Sequence, residues 1–158
     1  MTAREQSIPQ TFRAGVGAVI QRADGCVLAF QRIDDPSAWQ FPQGGLNLGE
    51  TPLDALFREI YEETGLCREQ VSLQTNEPQL LAYELPKAYR SPRTGRGQAL
   101  YWFNLQFHGP DDAITLGDGK EFTAWEWLPM DEVLKRISPF RKEVYKRLSD
   151  TLPLESGR

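Results

Sequence analysis

Two periods of apolar residues divide the chain into elements. Residues 16–21 are an apolar run expected to be a strand. Ala23-Asp24-Gly25 is a turn, and residues 26–32 read as a second strand, so the two are expected to form a hairpin. Asp34-Asp35-Pro36-Ser37 is a loop, Trp39-Gln40-Phe41 alternates as a short strand, and residues 43–49 read as an irregular glycine-containing loop. A helix follows. Thr51 can cap it, Pro52 suits its first position, and Gly65 can end it in the left-handed conformation. Leu53, Leu56, Phe57 and Ile60 stand at i, i+3, i+4 and i+7 and predict one buried stripe. Strands are expected at 71–73, 80–85, 100–107 and 122–128. A polar loop covers 87–97, a turn 117–120, and two helices 131–137 and 140–148. The resulting class is α/β, with a mixed or antiparallel sheet and few helices, and not the βαβ alternation of a doubly wound fold.

Composition narrows the setting. A chain of 158 residues, 40% hydrophobic and 25% charged, suits one soluble domain, residues 1–158, with a loose arm over 1–12 and a frayed tail over 152–158. The formal net charge of −4 gives no global reason for nucleic-acid binding, so any such case must be local. Cys26 and Cys67 have no CxxC spacing and read as two separate thiols. No apolar signal core or membrane-length run stands out, so no membrane partner and a reducing cytoplasm are expected. His108 is the only histidine, which excludes His-based metal clusters and argues against a Ser-His-Asp triad.

The chemistry concentrates in residues 44–66, GGLNLGETPLDALFREIYEETGL. Glu59, Glu62 and Glu63 stand at i, i+3 and i+4 and share a ~100° sector of the helix beside the apolar stripe. Carboxylates this close repel one another when partly desolvated, and a divalent cation removes that repulsion. Oxygen ligands without His or Cys favour a hard ion, Mg²⁺ or Mn²⁺, which suits polyphosphate chemistry. Gly44 and Gly45 let the backbone approach closely, and a carbonyl there can add a ligand. Arg58 lies four residues after Asp54 and four before Glu62, where ion pairs can hold the helix to the loop. REIYEE alone would read as a solvated helix face. The full spacing, G-x5-E-x7-R-E-I-x-E-E-x-G-L, overrides that reading.

That spacing is the Nudix box, and the chain resembles the Nudix hydrolases. The resemblance implies an α/β/α sandwich with a mixed sheet and Mg²⁺-dependent attack of water on a nucleoside diphosphate linkage. Further stretches resemble bacterial RNA pyrophosphohydrolases and the related asymmetric diadenosine tetraphosphate hydrolases. These are Trp39-Gln-Phe-Pro-Gln-Gly-Gly45, Arg13, Tyr83-Glu-Leu-Pro-Lys87, Gly97-Gln98 ahead of Trp102-Phe103, Glu121-Phe122 ahead of Trp125, and Phe140-Arg-Lys-Glu-Val-Tyr145. The chain departs from the enterobacterial enzymes in the loop before Trp39, which is one residue longer and carries Ala38.

By this resemblance Glu59 and Glu63 are metal ligands, with Gly44 contributing its carbonyl. Glu62 is a second-ion ligand or the base, and Glu121 another ligand or the base. Which carboxylate takes the proton stays open. Arg13, Arg32, Tyr83 and Lys87 match phosphate or base contacts, and Phe140 with Arg141 a place where the 5′ base stacks. Residues 87–96 carry four cations and no acid, a local positive arm suited to a polyphosphate or an RNA backbone. The expected activity is removal of pyrophosphate or phosphate from the 5′-triphosphate or diphosphate end of RNA. Dinucleoside polyphosphate hydrolysis is the alternative, and a catalytically inactive nucleotide-binding module the reading from another class. Whether the chain is a monomer or a homodimer is left open.

Overall fold

The computed structural model describes residues 8–152; the expected loose arm, apart from residues 8–12, and the expected tail after Leu152 lie outside the described residues. Two long strands form the centre. β1 (Phe12–Gln21) and β7 (Gly97–Phe107) run parallel, from Phe12 beside Gly97 to Gln21 beside Gln106. The strand therefore starts at Phe12, earlier than the apolar run suggests, because pairing and not hydrophobicity sets its first turn of ladder.

β7 carries two antiparallel neighbours on its other edge, β6 (Gln79–Glu84) and β5 (Val71–Leu73). On the far side of β1 lies β4 (Gln43–Gly45), paired at residues 15–17. Residues 43–45 thus form a strand and not the irregular loop expected. The expected hairpin partner, β2 (Val27–Arg32), pairs with β1 only at Gln21 and Val27. β2 then turns away to pair with β8 (Phe122–Leu128) on one edge and β3 (Trp39–Gln40) on the other.

Successive side chains on a strand point to opposite faces. Here both faces are covered, so the middle of each central strand, residues 14–20 of β1 and 99–103 of β7, is a continuous run without charged or amide side chains rather than an alternation. Val16, Ala18, Ile20, Phe103 and Leu105 pack under helix α1 (Pro52–Thr64) with Leu56 and Ile60. Val19, Leu100 and Trp102 face the other way, under α2 (Met130–Arg136) and α3 (Lys142–Thr151), with Val133, Val144 and Leu148. Tyr145 is fully buried there. Its ring stacks on Phe41 at 4.7 Å, and its hydroxyl accepts the Phe41 N–H at 2.8 Å, pinning the chain just before β4. Helix, mixed sheet and helix pair form the α/β/α layers.

Local signals explain α1. Thr51 Oγ1 accepts the Asp54 N–H at 3.2 Å, Pro52 opens the helix, and Gly65 closes it at φ 76° with its N–H on Tyr61 O. The buried face differs from the expected stripe. Leu53 is 39% exposed and Phe57 only half-buried, whereas Ala55, Leu56, Ile60, Glu63 and Thr64 are buried. Leu56 and Ile60 are buried as expected, but the helix is rotated so that Ala55 and Glu63 join them inside and Leu53 faces outward. Among the described residues no helix is long and apolar enough to cross a membrane, and both cysteines are free thiols.

Candidate active site

Arg58 organises the start of the site. Its Nε and one terminal nitrogen donate to the two oxygens of Glu50 at 2.7 and 2.8 Å, and that nitrogen also reaches Gly45 O at 2.8 Å. Its other terminal nitrogen donates to Glu59 at 2.7 Å and Glu62 at 3.3 Å. Glu50 in turn accepts the Asn47 N–H. One guanidinium therefore fastens the loop, β4 and the carboxylate row of α1 together, with a two-pronged contact that a lysine could not reproduce. The partner on the loop is Glu50. Asp54, the residue expected from helix spacing, pairs instead with Arg68.

The carboxylates differ in their surroundings. Glu63 is 8% exposed and accepts the Gln43 N–H at 3.0 Å. Burial pushes its carboxyl well above the ordinary range, and the charges of Glu121 and Glu59 add to the shift. Glu59 is half-buried and also shifted upward, again by burial first, with Arg58 opposing. Glu62 projects outward, its side chain 56% exposed. Glu121 reaches this cluster through a long connection. Thr115 N–H donates to Thr64 O at the end of α1, and Gly117 packs on the backbone of Glu62 at φ 64°, where a β-carbon would collide. The chain then brings Glu121 to the start of β8, its carbonyl accepting the Ile33 N–H at 2.9 Å.

Buried acids that raise each other's affinity for protons leave a site short of positive charge. Gly44 sits against the same cluster: it pairs with Val16, and a β-carbon there would press on the end of the Glu59 side chain and push the carboxylate aside. Among the described residues no three acidic, histidine or cysteine side chains are gathered tightly enough to form a finished metal cage. The donor chemistry, all oxygen, nevertheless fits a hard divalent ion whose coordination is completed by water and phosphate oxygens. Glu59, Glu63, Glu121 and the Gly44 carbonyl are the groups that could hold it.

The expected substrate residues fall into two groups. Arg13 lies on β1 with its guanidinium packed on Gly45, near Glu59 and Arg93. Arg32 ends β2, clasped through two 2.8 Å contacts by Asp34 and bonded to Gln40 at 2.6 Å. Tyr83 is buried on β6. Its hydroxyl donates to Gln98 at 2.5 Å and accepts from Gln43 Nε2 at 3.0 Å, and Arg141 Nε approaches it at 3.4 Å. Phe140 stands 5.9 Å from the rings of both Tyr83 and Tyr89.

Lys87 is exposed on the short turn after β6, its side chain without a hydrogen bond or ion pair to a described residue, so the structure does not bring it into these contacts. The basic arm is also less free than its composition suggests. Arg90 donates to Leu85 O, and Arg96 pairs with Glu84, an acid just outside the counted stretch. Gln43, Gln98 and Gln40 are the polar residues that sequence reasoning did not assign. Their signal in the sequence was membership of the stretches Trp39-Gln-Phe-Pro-Gln-Gly-Gly45 and Gly97-Gln98, to which no role was given.

Comparison with known proteins gives the family and the fold. The NUDIX domain family matches residues 11–148. A protein of Cereibacter sphaeroides named RNA pyrophosphohydrolase is 39% identical over 145 residues, covering 89% of this chain and 90% of that one. A protein of the same name from Coxiella burnetii is 42% identical over 143 residues, covering 87% of this chain and 63% of the other. The fold is similar to that of a C. elegans Ap4A hydrolase in a binary complex, with TM-score 0.69, 22% identity, and coverage of 87% of this chain and 96% of that one. With a family match over nearly the whole described chain and relatives of this identity along most of its length, the chain belongs to the Nudix family and is a hydrolase acting on a pyrophosphate anhydride.

Proposed function

We propose that the protein is an RNA 5′-pyrophosphohydrolase working with Mg²⁺ or Mn²⁺. The observation that carries the reading is the buried Glu63 with the half-buried Glu59, both feeling the charge of Glu121 and set beside Gly44, in a chain about 40% identical to proteins named for this activity. Glu59, Glu63, Glu121 and Gly44 O would hold the ion, which when bound neutralises phosphate charge and makes water more acidic. Glu62, its side chain 56% exposed and held at 3.3 Å by Arg58, would take the proton of the attacking water, with Glu121 the other candidate base. The water oxygen bonds to phosphorus, the anhydride P–O bond breaks, and pyrophosphate or phosphate leaves. Arg13, on Gly45 and near Arg93, holds the leaving phosphates as their charge grows. Arg32, Tyr83 and Phe140 with Arg141 bound the nucleoside end, and Lys87 joins them only if its turn moves. Free thiols at Cys26 and Cys67 suit the reducing cytoplasm.

Hydrolysis of a dinucleoside polyphosphate is the second reading, favoured by the shared requirement for one 5′ nucleoside on a polyphosphate. Triphosphorylated RNA and diadenosine tetraphosphate assayed side by side decide between them. Faster turnover of the RNA is expected, and much faster turnover of the dinucleotide sinks the first reading. An inactive binding module is disfavoured by the intact carboxylates. Tight nucleotide binding with no hydrolysis under either metal would revive it.

A further inference from the structure

We propose that Asp34 is a positioning residue that decides which part of the substrate meets Arg32: it fixes that guanidinium and cancels its charge, so that the polyphosphate goes to Arg13 and the uncharged part of the substrate to Arg32. The inference rests on the reading above that Arg32 bounds the nucleoside end. The arginines of the site divide into two kinds. Arg58 and Arg32 are paired with carboxylates. Arg13, packed on Gly45, and Arg141, buried at 8% exposure, have no carboxylate within ion-pair distance among the described residues.

Asp34 holds Arg32 by both of its oxygens. Nε donates to one at 2.8 Å and Nη2 to the other at 2.8 Å, while Nη1 donates to the Gln40 amide oxygen at 2.6 Å. A guanidinium carries five N–H groups in a rigid plane, and three of them are taken. The two-pronged contact sets the plane as well as the position. An ion pair in open water does little of this. Here Arg32 is half-buried and Gln40 buried, so the inner side of the fork is anchored, and Asp34 closes it from the solvent side. Arg32 in return holds the Asp34 carboxyl below its ordinary range.

The backbone aims this clasp at the site. The register of β2 against β8 shifts between Gln31, opposite Ala124, and Arg32, opposite Phe122, which leaves Thr123 as the extra residue of a bulge. A bulge re-aims the side chains beside it. Arg32 thereby comes within reach of the charges of Glu121 and Tyr83, and Asp34 lies near enough to Arg141 to offset part of its charge too. The loop that carries Asp34 is the one that departs from the enterobacterial enzymes, and it is fixed by other means. Gln31 Nε2 donates to Pro36 O at 2.8 Å, the Arg32 N–H to Ala38 O at 3.0 Å, the Ala38 N–H to Asp35 O at 2.9 Å, and Ser37 Oγ to the Asp35 carboxylate at 2.6 Å. None of these contacts uses the Asp34 side chain, whose two oxygens go to Arg32. A polyphosphate entering the site meets uncompensated positive charge at Arg13, beside Glu59, and a cancelled charge at Arg32.

The test measures KM for a 5′-triphosphorylated dinucleotide and Ki for inorganic tripolyphosphate as its competitor, with divalent metal in excess. The two carry similar charge, so a general change in field cancels in the ratio of Ki to KM. Asp34→Asn leaves Arg32 as a free cation open to phosphate, and the ratio should fall about fivefold, the upper end of what an exposed ion pair supplies. Asp34→Glu should keep a ratio near wild type, and Arg32→Gln combined with Asp34→Asn should return to it. Asp35→Ala, which loosens the same loop without touching the clasp, should also keep it. An unchanged ratio in Asp34→Asn overturns the proposal. So does a fall that persists in the double variant, or one that Asp35→Ala reproduces. The Asp34 side chain is 62% exposed, so Asp34→Asn is expected to unfold at the wild-type temperature. Wild-type preference for diadenosine tetraphosphate over the dinucleotide would defeat the RNA reading itself. The ratio is then taken with the KM for diadenosine tetraphosphate and judges Asp34 separately.

Discussion

Glu62 is the carboxylate on α1 that stays in solvent, while Glu59 is half-buried and Glu63 buried. That contrast divides holding an ion from moving a proton. Glu62→Gln should lower kcat by about 10²-fold or more, the scale of general-base catalysis, with thermal unfolding unchanged because little of the side chain is packed. Activity within a few-fold of wild type would remove Glu62 from the role of base. Glu50 supplies a pH signature. Its bonds from Arg58, and then from the Asn47 N–H, pull its carboxyl down to about 2 from an ordinary 4.5. A depressed folded value stabilises the native state above the unfolded value and loses that effect as pH falls. Wild type should therefore be more stable than Glu50→Gln above pH 4.5, and the two unfolding curves should converge as pH approaches 2. Parallel curves over that range would mean that the Arg58 clip contributes nothing to folding. The helix carboxylates were legible because their neighbours are three and four residues away. Gln43 was not, because its partners Tyr83 and Gln98 lie 40 and 55 residues along the chain.

At the scale of elements, local chemistry announced both ends of α1 but not its rotation. Thr51→Ala should cost about 1 kcal/mol of stability, read as a shift in the denaturant midpoint with unchanged slope, because it leaves the Asp54 N–H without its acceptor. No shift would show that the cap is replaced by water without loss. The expected stripe held at Leu56 and Ile60 but placed Leu53 inside, where Ala55 and Glu63 complete the inner face instead. β4 failed as a prediction as well. Gln43-Gly44-Gly45 has weak strand propensity, and its extended form comes from pairing with residues 15–17 of β1. The hairpin of β1 and β2 was legible as a turn, but not its divergence after Gln21 and Val27.

Across the whole molecule, distant segments meet at one edge of the sheet. The loop over residues 115–119 sits on the end of α1 and delivers Glu121 to carboxylates 58 and 62 positions earlier in number. Removing divalent metal with a chelator should abolish hydrolysis while the cooperative unfolding transition persists, since both hydrophobic layers form without the site. Adding Mg²⁺ or Mn²⁺ back should raise the unfolding temperature by relieving repulsion among Glu59, Glu63 and Glu121, and Glu63→Gln should shrink that rise. Full activity in the chelator would overturn the assigned metal dependence.

The amino-acid sequence by itself determined the class of fold, the capped helix and its carboxylate spacing, because propensity, capping and helical periodicity act over a few residues. Only the tertiary structure decided that residues 43–45 become a strand, that Glu50 and not Asp54 answers Arg58, that Lys87 stands apart, and that Arg141 is buried without an acid. Those outcomes depend on strand register and on which faces close against each other. Such contacts are set by burial across the whole chain, and nothing in their local sequence records the partner.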